Sequence, residues 1–170
     1  MTGHPYIDPL GDAHRLMRRI REEWPAPDEA PGAQVMALMD QAIDKCPHVT
    51  DFWMLKAQLL QLQDEVDPHA VAECFETAVR IDRDCLEAHD ALGAYSEEVL
   101  GDLERAEQAY LRSSALGGGP WVYVGLARVL AKQDRWDEAA AALDAEFCPY
   151  DDEPAVDDAR SALDDGMTDF

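Results

Sequence analysis

At 170 residues, 47% of them hydrophobic, the chain is long enough to bury a sizeable core, as one domain or as one continuous stack of repeats. Thirty-six acidic residues stand against fourteen basic ones, a formal net charge of -22, with lysine only at 45, 56 and 132. That balance repels phosphate backbones and leaves no basic run to release counterions, which excludes nucleic acid as a partner, while a cationic protein would be drawn in by the same field.

From Asp8 onward the apolar residues recur at helical spacing, and strand signals are missing. Leu10, Met17, Ile20 and Trp24 share one face of a first helix, with Asp8 as N-cap and Pro9 in the first turn. The run PAPDEAPG at 25–32 ends it. A second helix, at about 33–45, carries Val35, Met39, Ala42 and Ile43 and stops before Pro47. A third starts after Thr50 or Asp51 and shows Trp53, Ala57 and Leu60. Asp67 and Pro68 form a cap and first-turn proline for a fourth, with Val71, Phe75, Ala78 and Val79. Asp84 and Glu87 have capping-box spacing before His89, Leu92, Gly93 and Ser96, and the partner helix bears Ala106, Tyr110 and Ser113. Gly117–Gly119 reads as a helix stop; Gly119 and Pro120 open a helix with Tyr123, Leu126, Ala127 and Leu130. Asp134 starts the next, with Ala139 and Leu143, and the stretch 155–165 is one more amphipathic helix.

Overlaying these helices exposes a repeat. Trp53, Ala57 and Leu60 return as His89, Gly93 and Ser96, then as Tyr123, Ala127 and Leu130, at offsets of 36 and 34. The second helices return at 36, 35 and 33: Val35, Met39 and Ala42, then Val71, Phe75 and Ala78, then Ala106, Tyr110 and Ser113, then Ala139, Leu143 and Glu146. A period near 34 with two helices per unit is the mark of a stacked solenoid. Small residues at 57, 93 and 127 let paired helices approach, so a large side chain at Gly93 is expected to disrupt packing.

Tyr123, Leu126, Ala127, Leu130, Ala139 and Leu143, joined by KQDRWDEA, resemble a tetratricopeptide repeat, and the resemblance covers about residues 33–147. Lys56, Ser96 and Glu146 depart from the family pattern. The resemblance implies an all-α fold, a right-handed α-solenoid of antiparallel helix pairs. It comprises an N-terminal helix and linker (1–32), repeats over 33–147 (a divergent second helix at 33–47, then units 50–83, 84–118 and 119–147), and a capping helix with acidic tail (148–170).

In this family the first helices line a concave groove that receives a peptide or helix of a partner protein. The matching positions are Asp51, Met54, Gln58 and Gln61, then Glu87, Asp90, Ala94, Glu97 and Glu98, then Trp121, Val124, Arg128 and Lys132. Helical spacing groups each set on one face. The middle set is acidic and the third basic with an aromatic, which suits a ligand of mixed or basic charge. The bland alternative is an ordinary solvated surface, and Trp121 either anchors a ligand or packs through the turn before it. The clamp that some members use for chaperone tails is missing: its positions hold Met54, Gln58, Ala91, Trp121 and Gly125.

No catalytic, cofactor or metal motif stands out. Gly117–Gly119 lacks the Lys and Ser/Thr of a phosphate loop, the five histidines are scattered, and Cys46, Cys74, Cys85 and Cys148 have no C-x-x-C and read as unpaired thiols. Arg15, Arg18, Arg19 and Arg21 form the one basic cluster, read as pairing with acids of the same protein, with a partner's acidic patch or an anionic membrane surface as the alternative. No segment approaches eighteen apolar residues and the start shows no signal peptide, so the expectation is a cytoplasmic, non-catalytic interaction module without membrane insertion. Its charge favours a monomer, with self-association through exposed solenoid ends as the alternative. An acidic decoy that binds a cationic protein through its outer surface is the second functional reading.

Overall fold

The computed structural model describes residues 9–27, 29–150 and 152–170, with side chains from Gly11 onward. Asp8, expected as a cap, the Leu10 side chain, His4 and Asp151 lie outside the described residues. The described residues form nine α-helices and one π-helical turn, without a strand, so the fold is all-α as the periodicity predicts. They divide into two compact units, one through Arg83 and one from Asp84 to Phe170.

The first unit holds α1 (Pro9–Glu22), α2 (Ala33–Lys45), α3 (Thr50–Gln61) and α4 (Pro68–Ile81), each packed on the next. Its core gathers Leu16, Ile20, Val35, Leu38, Met39, Ala42, Phe52 and Leu59. Met17 and Trp24 of the expected α1 stripe are only half-buried, and Leu16 takes the central place. In α3 the expected Trp53 and Leu60 are half-buried, whereas Phe52, Ala57 and Leu59 are fully buried. The reason is that α3 packs on α2 and on α4 at once, so it buries two faces and has no single stripe. Trp53 instead reaches back, its Nε1–H donating to the Pro47 carbonyl at 3.0 Å. Lys56 pairs with Asp40 of α2 at 3.1 Å. The α4 cap is as expected: the Asp67 carboxylate accepts from the amides of His69 (3.0 Å) and Ala70 (3.4 Å) ahead of Pro68 in the first turn. On α1, Arg15 pairs with Asp12, whose carboxyl it holds below the usual range by hydrogen bonding, and Arg18 lies 3.9 Å from Glu22.

The second unit holds α5 (Leu86–Tyr95), a π-helical turn (Ser96–Leu100), α6 (Leu103–Ala115), α7 (Pro120–Lys132), α8 (Trp136–Leu143) and α9 (Pro154–Asp164). Asp90 and Gly93 of α5 meet Ser113 and Tyr110 of α6, and Tyr123 and Gln133 of α7 meet Ser114 and Glu107, so both pairs run antiparallel. The middle helix is α7: Val122–Ala127 and Val129–Ala131 are all buried, because α6, α8 and α9 pack around it. Val156, Ala159 and Ala162 of α9 close over α7 and α8, leaving Asp157, Asp158, Asp164 and Asp165 outward.

Helix punctuation in this unit differs from expectation at two places. Cys85 is the α5 N-cap, with no side-chain cap bond, and Asp84 pairs with Arg112 at 2.5 Å instead of closing a capping box with Glu87. Asp134 does not open α8 but ends α7. It takes a left-handed φ of 61°, its amide donates to the Ala131 carbonyl (2.9 Å), and the Arg135 amide donates to the Leu130 carbonyl (3.0 Å), the two bonds of a Schellman cap. Gly117, at φ 90°, ends α6 in the same way, as the sequence leads one to expect. Helix α8 stops at Leu143, so Glu146 falls outside the second-helix pattern it was aligned to.

Candidate functional site

The expected first-helix positions meet different fates. In the first unit Asp51, Gln58 and Gln61 are exposed and Met54 is half-buried; the Gln61 side chain donates to the Ala57 carbonyl at 3.2 Å. In the second unit Glu87 and Glu98 are exposed and Asp90 and Ala94 half-buried, while Trp121 is 71% exposed, most of its indole in solvent. Val124 is buried in the core of α7. Glu97 is also buried, its side chain entirely out of solvent. It stands four residues after Gly93 and therefore shares the face that packs on Tyr110.

Around Glu97 the structure brings together Arg128 and Lys132, expected with it as groove-lining charges, and Tyr110. The Arg128 guanidinium grips the carboxylate with two bonds, Nε to Oε1 at 2.5 Å and Nη2 to Oε2 at 2.8 Å. Lys132 Nζ adds a third at 3.1 Å, and the Tyr110 hydroxyl donates a fourth at 3.2 Å. Arg128 and Lys132 are one helical turn apart on α7, which is why both reach the same acid. The outer nitrogen of Arg128, Nη1, donates to the Phe170 carbonyl at 2.7 Å, and Lys132 lies 3.9 Å from Asp169.

Burial alone would push the Glu97 carboxyl up, but the Arg128 hydrogen bonds and charge, with those of Lys132, outweigh it and hold the group below its usual range. Arg128 is raised chiefly by its bond to Glu97. Tyr110 is raised by burial first and by the Glu97 charge second, so it stays a neutral donor. Asp90 is raised by burial, opposed by the hydrogen bond it accepts from Ser113. A carboxylate so enclosed and so fully bonded has neither the access nor the free basicity that acid–base work requires. The cluster ties the π-helical turn after α5 to α6 and α7.

The open site lies on the opposite side of α7. Two residues along a helix turn the side chain by about 200°, so Leu126 and Leu130 point away from Arg128. They floor a cleft of about 560 Å³ that opens between α6 and α8. Its walls are Leu111, Ala141, Ala142 and Phe147. Leu111 and Phe147 are 43% and 44% exposed, large apolar groups held at the surface. Phe147 is fixed from behind, packed edge-on against Tyr123 with ring centroids 5.6 Å apart, and Tyr150 backs Tyr123 at 5.8 Å.

The rim is polar and mainly acidic: Glu107, Glu138, Asp144 and Glu146 with a single Arg135. Arg135 bridges Glu107 (2.6 Å) and Glu138 (2.7 Å), and Gln133 donates to Glu107 at 3.1 Å. Bonding to Arg135 holds Glu138 below the usual carboxylate range. No family model matches this chain, and no curated protein sequence matches it. The cleft was not found in the sequence, although two signals bear on it. Leu111 falls outside the buried stripe of Ala106, Tyr110 and Ser113, and Phe147 stands in the turn after α8, beyond the last residue of the repeat pattern. Among the described residues no group of three or more His, Cys, Asp or Glu is placed to hold a metal ion, and no helix is long and apolar enough to cross a membrane.

Proposed function

We propose that the chain is a tetratricopeptide-type repeat protein, of the right-handed α-solenoid class, that works as a non-catalytic protein-interaction module: an adaptor, co-chaperone or assembly factor. The repeat offsets of 33 to 36 residues and the burial of the small residues Ala57, Gly93 and Ala127 support the repeat reading. The cleft between α6 and α8 supports the functional one, because it holds Leu111 and Phe147 at the surface beside an acidic rim, while Glu97, Arg128 and Lys132 on the opposite side of α7 are engaged in internal bonds. Exposed, rigidly backed apolar groups inside a polar rim are the anatomy of a protein-binding patch. We place binding in this unit on the face made by the second helices, with the first-helix face of the family resemblance, where Trp121 is 71% exposed, as the alternative. That placement also accommodates the reading of an acidic outer surface that engages a cationic protein.

Affinity capture from native lysate tests the proposal, using the wild-type chain, a cleft variant (Leu111→Asp with Phe147→Ser) and a first-helix variant (Asp90→Lys), each checked for fold by circular dichroism. A partner retained by Asp90→Lys and lost by the cleft variant is the expected result. Loss by Asp90→Lys alone would return the site to the α5 face. Partners unaffected by either variant would remove this unit from recognition.

A further inference from the structure

We propose that the occupant of the cleft between α6 and α8 is a cationic amphipathic helix, which sets its apolar stripe between Leu111 and Phe147 and its Lys or Arg flanks against the acidic rim. This rests on the reading of the cleft as a protein-binding surface and adds the chemistry of the partner. Three observations select it.

The first is shape. The cleft is floored by one helix and walled by two, and the described residues contain no strand whose open edge would pair with an extended peptide. An incoming strand would lay its amides against leucine and alanine side chains and leave them unsatisfied. A helix brings its backbone bonds with it and needs only side-chain complementarity, the helix-in-groove mode. The cleft volume of about 560 Å³ takes a short row of apolar side chains.

The second is charge. Four rim acids against one arginine leave the rim net negative, and Arg135 is already bonded to Glu107 and Glu138. Asp144 and Glu146, both exposed, stand beside Phe147 where they meet the flank of a docked segment. A second copy of the chain is a poor occupant, since it would bring the same acidic rim and a net charge of -22 against another. An anionic lipid surface is repelled for the same reason.

The third is preorganisation. Phe147 stacks edge-on against Tyr123. Leu126 and Leu130 of the floor are buried in the α7 core. The Phe147 wall and the apolar floor are therefore in place before binding, which lowers its ordering cost.

The test uses a synthetic helical peptide with a leucine stripe and lysine on the remaining face. Two control peptides accompany it, one with glutamate for lysine and one with serine for leucine. Affinity is read by fluorescence anisotropy at low and high salt, and the location by amide chemical shifts. The Leu/Lys peptide is expected to bind the wild-type chain, to shift amides around Leu111, Ala141 and Phe147, and to weaken at high salt. Leu111→Ser and Phe147→Ser are each expected to cost about tenfold in affinity or more. Asp144→Lys with Glu146→Lys is expected to weaken the Leu/Lys peptide and to improve the glutamate version.

Equal affinity for the serine control, or for the Leu111→Ser chain, means attraction by the overall field alone and overturns the proposal. Equal binding of the glutamate and lysine versions overturns the cationic partner and leaves the cleft as a protein-binding surface. If no peptide binds but a lysate partner is still lost from the cleft variant, this inference fails and the interaction-module reading stands. Concentration-dependent self-association in the ultracentrifuge, abolished by Leu111→Ser, would assign the cleft to a second copy and overturn the proposal.

Discussion

Tyr110 lies between two glycines, and that arrangement makes a sharp prediction. A Cβ added at Gly93 would stand 2.8 Å from ring atoms Cδ1 and Cε1, and one added at Gly125 would stand 2.6 Å from Cζ and 2.9 Å from the hydroxyl. Ordinary carbon contacts are about 3.5–4.0 Å, so either methyl must displace the ring by about 1 Å. The ring is confined, because Gly93 of α5 meets its Cδ1–Cε1 edge, Gly125 of α7 meets its Cζ, Cε2 and hydroxyl, and that hydroxyl is bonded to buried Glu97.

Overpacking of this kind costs about 1–3 kcal/mol, and close contact with both glycines argues for the upper end. Alanine in place of a helical glycine returns about 1 kcal/mol. Gly93→Ala and Gly125→Ala are therefore each expected to destabilise by a net ~2 kcal/mol. In a Tyr110→Leu background, where the ring is gone, the same Gly93→Ala is expected to be neutral or to stabilise by up to about 1 kcal/mol. Urea unfolding followed by circular dichroism measures the four stabilities of each cycle, and amide exchange along α7 reports on the second unit specifically. A rise in the urea midpoint for Gly93→Ala or Gly125→Ala with Tyr110 present would refute the tight sandwich, as would a coupling near zero.

Two further predictions concern charge and capping. Glu97→Gln keeps the side-chain shape but removes the carboxylate charge that Arg128 and Lys132 share, at an expected cost of about 2–4 kcal/mol. Because the folded-state carboxyl is held below its ordinary value, the stability it contributes is complete above the usual carboxyl pKa and is lost as pH falls through the lower folded one. The gap between wild type and Glu97→Gln should accordingly close in acid, as measured by urea titration across that range, and a gap independent of pH would refute the ionic account. In the first unit, Asp67→Ala is expected to cost about 1 kcal/mol by freeing the amides at the start of α4, and Asp67→Asn close to nothing, with exchange at His69 and Ala70 as the local readout.

Local physics was legible in the sequence. The 3.6-residue spacing of apolar side chains, Asp67 ahead of Pro68, and Gly119 ahead of Pro120 report directly on helix faces and helix ends, since each is set by residues within a few positions of one another. The buried stripes Val71, Phe75 and Ala78, and Tyr123, Leu126, Ala127 and Leu130, follow from that spacing. So does the need for a small residue at Gly93, although the second glycine against Tyr110, Gly125, did not emerge.

Contacts between helices decided the rest. Glu97 looks like one more acid on an acidic face until α7 brings Arg128, 31 residues further on, against it, and the same contact takes Arg128 and Lys132 out of a free basic patch. Phe52 and Leu59 overtook Trp53 and Leu60 because α3 has neighbours on two sides. The cleft is a gap between α6 and α8, each of which packs on α7, and a gap has no residue pattern of its own. By itself the sequence of this protein determined an all-α, acidic chain of amphipathic helices, because helix formation is read from neighbours in the chain. Only the tertiary structure decided which of its charges are buried and which of its apolar side chains remain at the surface, because those depend on what each helix meets in space.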